Sequence, residues 1–115
     1  VTGAPQPVAA APTIRDLNDA FRRSFSGGRV VLTAGVAALP AAQREAIIKA
    51  VQAFSDFTPE NDPYGDHDFG GFAVDSCNFF WKIDYYDLAM KFGSDDPADP
   101  AVTSRVLTVM LAEEY

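Results

Sequence analysis

The stretch "FGGFAVDSCNFFWKIDYYDLAMKF", residues 69 to 92, constrains this chain more than any other. It is dense in aromatic and β-branched residues, and large apolar side chains recur at every second position. That period belongs to strands with one buried face. A turn at Ser76-Cys77 would set Val74 opposite Phe79, Phe72 opposite Trp81 and Gly71 opposite Lys82. A second turn at Asp87-Leu88 would set Tyr85 opposite Met90, Asp84 opposite Lys91 and Ile83 opposite Phe92. Together the two registers place Phe72, Val74, Phe79, Trp81, Ile83, Tyr85, Met90 and Phe92 on one side of a sheet. A one-residue slip would scatter that set. The doublet Gly70-Gly71 adds a question of its own, because a glycine pair inside a strand often marks a bulge.

A sheet with one apolar face needs a second layer, and the flanking segments supply helices. In "TIRDLNDAFRRSF" the residues Ile14, Leu17, Phe21 and Phe25 recur three or four apart. Thr13 is placed to cap this helix, with Asp16 in its first turn, and "SGG" ends it. The run Val30-Val31-Leu32 reads as a short strand covered on both faces. Pro40 opens a second helix, whose stripe is Ile47, Ile48, Val51 and Phe54. In "DPADPAVTSRVLTVMLAEEY", Asp99 and Pro100 read as the start of a third helix, with Val102, Val106, Leu107, Val109, Met110 and Leu111 as its buried side. The expected fold is α+β, with three helices packed on one face of a three- to four-stranded, mainly antiparallel sheet in the order α-β-α-β-β-β-α. Residues 1–12 read as a mobile Ala/Pro-rich tail and residues 13–115 as a single domain.

At 115 residues the chain suits one core and leaves no room for a separate cofactor domain. No run approaches a membrane span, and "VTGAPQPVAAAP" lacks the basic start and Leu-rich stretch of a signal peptide, so it reads as a processed or trimmed end. The single cysteine, Cys77, has no partner for an internal disulfide, which points to a reducing cytoplasm. The formal net charge of −7 is unevenly spread. Residues 1–54 carry six basic and three acidic side chains; residues 55–115 carry three basic and thirteen acidic ones. Such a surface repels nucleic-acid phosphates and favours a basic protein partner, although acids beside Pro and Gly also cap turns.

Three stretches offer chemistry. "TPENDPYGDHDFG", residues 58 to 70, gathers Glu60, Asp62, Asp66, Asp68 and His67, the only histidine. Their spacing fails the EF-hand pattern, and the chain has too few His and Cys for a zinc site, so neither a metal nor another cofactor is expected. Its Pro, Gly, Asn and Asp content reads as rigid turns. Second, Lys82, Asp84 and Tyr86 alternate onto the face opposite the core. Without a bulge at Gly70-Gly71, His67 would join them there; with a bulge, Asp66 and Asp68 would. Either cluster could transfer protons, while Lys82 and Asp84 could equally be an ordinary surface ion pair. Third, Phe80 and Tyr86 beside those charges have the composition of an interface. Arg15, Arg22, Arg23 and Arg29 make a weak nucleic-acid patch, since Asp16 and Asp19 share the same helix. No nucleotide-binding or hydrolase fingerprint is present.

The motifs "LTAGVAALP", "FTPENDPYGDHDFG", "WKIDYYD" and "DPADPAVTSRVLTVMLAEEY" together resemble a family of small bacterial proteins known only as a domain of unknown function. The resemblance runs from about Ile14 to Tyr115 and rests on Asn61 to Gly65, His67 to Gly70 and Trp81 to Asp87. It carries no activity with it, and it implies an association with plasmids and other mobile elements. The expected role is a small, acidic, non-catalytic binding or accessory protein that contacts a basic partner as a monomer or homodimer. One form of it is a mobile-element inhibitor with nucleic-acid-like charge. The alternatives are a small enzyme using His67, Asp66, Asp68, Lys82, Asp84 and Tyr86, and an oligomerisation module using Phe80 and Tyr86.

Overall fold

The computed structural model describes residues 12–115. The expected mobile tail lies, except for Pro12, outside the described residues. Helix α1 (Ile14–Ser24) leads to strand β1 (Arg29–Leu32), a one-turn helix α2 (Ala34–Ala37) and helix α3 (Ala41–Ala53). The hairpin β2 (Phe69–Val74) and β3 (Cys77–Tyr86) follows, then β4 (Ser104–Leu111) and a 3-10 turn at Ala112–Glu114. The sheet order is β1-β4-β3-β2. β2, β3 and β4 are antiparallel neighbours, whereas β1 runs parallel to β4, so the sheet is mixed. The α+β class holds, with three helices against a four-stranded sheet.

The helix starts follow from local chemistry. Thr13 and Asp16 form a reciprocal capping box, in which each side chain accepts from the other's backbone N–H. Phe25 ends α1 in the left-handed region at φ 58. Pro40 caps α3, and Ile47 and Val51 turn into the core. One side of the sheet presents Phe79, Trp81 and Ile83 from β3 and Leu107 and Val109 from β4; α1 adds Phe21, α2 adds Val36 and α3 adds Ile47 and Val51. Burial of these large side chains supplies most of the driving force, at roughly 1.5–3 kcal/mol each.

The hairpin turn falls at Asp75-Ser76, one residue earlier than the sequence suggested. Both residues have positive φ, 51 and 67, as the tight primed turns that match strand twist require. Val74 therefore pairs with Cys77, Phe72 with Phe79 and Gly71 with Phe80. The register has moved by two residues, so every side chain keeps its expected face. The ladder runs regularly from Phe69 to Val74, and Gly70-Gly71 does not bulge. Gly70 is required for another reason: a Cβ there would collide with the Trp81 indole nitrogen and would lie 2.7 Å from the Phe54 ring.

Two expectations fail together. The strand expected at Met90 to Phe92 is absent: Asp87 accepts from Lys91 and Met90 and donates its N–H to Phe92, closing a compact loop with one bridge between Tyr86 and Gly93. Met90 and Phe92 are exposed. The place beside β3 belongs to β4, in the segment expected to be the third helix. Asp99 caps only a turn, accepting from Ala101 and Val102. Beyond it, Arg105 to Leu107 and Val109 to Met110 are all buried, because β4 is central, with β1 and β3 on its edges. A near-continuous apolar run in a central strand has no period of two, and over eight residues it imitates a helix. The β-branched Val106, Thr108 and Val109 favour the extended form. β1, in turn, is an edge strand whose residues alternate between exposed and half-buried rather than being covered on both faces.

Gly70→Ala should lower stability by about 1–3 kcal/mol through overpacking against Trp81 and Phe54. A urea midpoint unchanged from that of the parent would refute this account of the glycine.

Candidate functional site

The turn-rich segment before β2 is tied to α1 rather than to the open sheet face. Asn61 and Thr58 exchange hydrogen bonds through their side chains, and Asn61 also reaches the Asp56 carbonyl. Asp62 accepts from the backbone N–H of His67, which lies in the left-handed region at φ 55. That reversal turns the His67 ring to the helix side of the sheet. Its Nδ1 lies 2.9 Å from Asp19 Oδ1, its Nε2 lies 3.5 Å from Asp62 Oδ2, and its ring stacks on Phe57 with centroids 3.7 Å apart.

Asp19 also pairs with Arg22 at 2.9 Å. Arg22 is 0% exposed and lies between the rings of Phe57 and Trp81, with its guanidinium carbon 5.3 and 5.1 Å from their centroids. It donates to the Phe54 carbonyl that ends α3. Burial works against the Asp19 carboxylate, but hydrogen bonds from His67 and Arg22 outweigh it and hold its pKa below the usual 3.8.

One turn earlier, Asn18 is fully buried and joins three segments. Its amide donates to the Asp66 carbonyl and to the Tyr85 hydroxyl, while its oxygen accepts from Arg105 Nε. The Tyr85 hydroxyl in turn donates a hydrogen bond to Asp68 Oδ2 at 3.1 Å. Arg105 donates to the Pro97 carbonyl and stacks over Tyr85. Burial raises the pKa of Asp68, and the charges of Asp66 and Asp62 add to this against the Tyr85 hydrogen bond. Burial likewise raises the pKa of Tyr85 and lowers that of Arg105.

The open face carries the other candidates. Lys82 and Asp84 pair at 3.0 Å with side chains 41% and 37% exposed, a geometry that contributes about 0–1 kcal/mol. The Asp84 hydrogen bond raises the Lys82 pKa. Phe80 stacks on Phe69 and meets Tyr115 at 5.3 Å, so the end of the described chain lies over one corner of this face. Glu114 holds that end in place. It accepts from the Thr33 hydroxyl and from the N–H groups of Leu111 and Gly35, and these bonds lower its pKa. A hollow of roughly 530 Å3 remains between Lys82, Asp84, Thr108, Met110 and Tyr115.

The candidate residues thus divide. Lys82, Asp84, Tyr86 and Phe80 share one face, as expected. His67 and Asp68 lie on the other, and Asp66 is held through its backbone by Asn18. The expectation that either His67 or the pair Asp66 and Asp68 would join Lys82 is corrected on both branches. His67 would stand across from the Asp84 position if the ladder continued, but its positive φ ends the strand first. Among the described residues no group of three or more His, Cys, Asp and Glu side chains is placed to hold a metal.

Sequence reasoning missed Asn18 and Tyr64 as site residues, and it read Arg22, beside Asp19, as part of a surface patch for nucleic acid, whereas Arg22 is buried. Asn18 and Arg22 had a signal: Asn18, Phe21, Arg22 and Phe25 lie on one helical stripe, so a buried polar pair was written into the apolar side of α1. Tyr64 stands at a turn between Pro63 and Gly65 and is 89% exposed. It borders a hollow of roughly 410 Å3 with Thr13, Arg15, Asp66 and Ala98. The acidic loops 58–68 and 95–99 meet here, because Asn18 holds Asp66 while Arg105, bonded to Asn18, holds Pro97.

These features define a two-layer α+β domain with a mixed sheet, a polar scaffold beneath its helices and an acidic rim at one end. The chain belongs to the family described as Protein of unknown function (DUF3768), whose model matches residues 32–114. Searches of curated proteins and of solved structures returned no match. The "NDPYGDHDFG" and "WKIDYYD" stretches fall inside the matched range; α1, with Asn18, Asp19 and Arg22, precedes it. No helix among the described residues is long and apolar enough to cross a membrane.

Asp19→Asn should cost about 3 kcal/mol near neutral pH, because it leaves the buried Arg22 without its counter-charge. Since the folded pKa of Asp19 is depressed, its contribution is complete above 3.8 and disappears as the pH falls through the lower folded value. The difference between variant and parent should therefore shrink in acid. Asp68 has the opposite sign: its raised folded pKa means that stability is lost as pH rises through that value. Asp68→Asn should be more stable than the parent at neutral pH and equal to it in acid. Chemical denaturation of the three proteins across this range checks both signs.

Proposed function

We propose that this domain is a non-catalytic binding protein that takes a basic protein partner on its acidic rim. The observation that carries this reading is Tyr64. It is a large aromatic side chain held almost fully in solvent by a hydrogen-bonded loop, and it borders a hollow shared with Asp66 and with Ala98 of the second acidic segment. A large ring left in solvent at the tip of a hydrogen-bonded loop is available to a partner. A tyrosine on an acidic surface suits lysine and arginine: the carboxylates steer and pair with the cations, and the ring face attracts them once desolvated. Glu60, Asp95 and Asp96 are exposed and contribute charge, while Arg15 is the nearby cation that a partner must accommodate.

The net charge of −7 supports the same reading and disfavours nucleic acid as the direct partner. A cytoplasmic accessory or inhibitor protein of a mobile element fits it, with charge resembling that of nucleic acid presented to a protein that normally grips phosphates. Proton-transfer chemistry has less support, since His67 is bonded to Asp19 on one side of the sheet and Lys82 to Asp84 on the other.

A pull-down from nuclease-treated lysate of the source organism should recover a basic protein at low salt and release it by about 0.5 M, where screening is nearly complete at contact range. Tyr64→Ala should fold as the parent does and bind about tenfold less tightly, in line with the loss of one aromatic anchor. Recovery of nothing but general chaperones at low salt would sink the proposal.

A further inference from the structure

The sheet has two edges, and they are built differently. β1 is four residues long and begins with Arg29, so it is short and charged in the way exposed edges are commonly protected. β2 is six residues long, regular, and carries neither charge nor proline. Its outward groups can be identified. The Ile83 N–H donates to the Asp68 carbonyl, which places Asp68 and Ile83 at a hydrogen-bonded position of the ladder. In an antiparallel ladder alternate residues face alternate neighbours, so Gly70, Phe72 and Val74 bond to β3. Phe69, Gly71 and Ala73 then direct their N–H and C=O groups away from the sheet. Gly71 and Ala73 are exposed. The Phe80 ring lies over Gly71, within 3.0 Å of where a Cβ would stand, and beside it a hollow of roughly 400 Å3 is bordered by Gly71, Ala73, Asn78 and Phe80.

We propose that the free edge of β2 takes up an extended, basic segment of the partner as an added strand, using the outward backbone groups of Phe69, Gly71 and Ala73. This rests on the reading of the partner as a basic protein. Charge selects that occupant over a second copy of the chain. Asp75 stands at the hairpin end of β2, and Asp66 and Glu60 lie in the loop at its start, whereas two copies would each bring a net charge of −7. A strand with lysine or arginine at its ends meets carboxylates at both. An aromatic or branched side chain at its centre packs into the hollow beside Phe80 and Ala73, as cross-strand aromatics do beside edge glycines. β2 starts four residues after Gly65, so the loop that carries Tyr64 leads into the edge strand.

The probe is a blocked peptide of alternating lysine and valine with one central phenylalanine, compared with the same peptide N-methylated at every second residue. Strand addition predicts that the plain peptide binds the full chain about tenfold or more tighter than the methylated one, the equivalent of one or two backbone hydrogen bonds. It also predicts that amide exchange slows at Phe69, Gly71 and Ala73. Ala73→Pro removes one outward N–H at an edge position that tolerates proline and should weaken the plain peptide alone. Equal binding of both peptides without amide protection overturns strand addition and leaves the basic-partner reading standing. Binding by neither peptide at low salt overturns both. Protection of the same amides in the free protein, with a dimer by light scattering, overturns it in favour of a second copy.

Discussion

The arrangement of this molecule hangs on a charge that has been taken out of water. Arg22 is fully buried, and its guanidinium is met by Asp19, by the last carbonyl of α3 and by two aromatic faces. A buried ion pair adds little net stability over an apolar equivalent, but any arrangement that separates the partners is penalised by several kcal/mol. The pair therefore selects among packings more than it deepens one. Asp19 holds His67, and His67 holds Phe57, so the position of the turn-rich loop follows from where α1 places a single guanidinium. Arg22 Nε and the Trp81 indole N–H have no hydrogen-bond partner among the described residues, which makes this region costly as well as specific.

Asn18 extends the same logic toward the surface. It is a neutral hub with both ends of its amide engaged, and it joins the start of the hairpin, the end of β3 and the first residues of β4. Two acidic loops that would repel each other in isolation are thereby kept side by side. Rigid chemistry below and concentrated charge above are two halves of one device.

Much of the fold could be read from the sequence wherever a period was clean. The aromatic alternation of β3 gave the core face correctly even though the turn was misplaced, because a shift of two leaves parity intact. The capping residues Thr13 and Pro40 marked the two long helices. What could not be read was β4. A strand buried on both sides loses the alternation that identifies strands, and Asp99-Pro100 ahead of it supplied a convincing false cap. The open-face residues Lys82, Asp84, Tyr86 and Phe80 were legible from the same parity. His67 was not, since one residue with positive φ redirected it, and no local pattern fixes that angle in a non-glycine residue. Tyr64 looked like a turn residue and is one; its exposure depends on contacts with α1 distant in sequence.

The placement of β4 also bears on how the chain comes into being. β4 is the last of the four strands in the sequence, and it has to enter between β1 and β3, which have 44 residues between them (33 to 76) and are not neighbours in the sheet. While the ribosome is still short of Ser104, the nascent chain holds a hairpin and a four-residue strand with no common neighbour and an uncovered aromatic face. Contacts of such long sequence separation form slowly and late. Folding of this domain is thus completed only when β4 is available to fill the gap between β1 and β3.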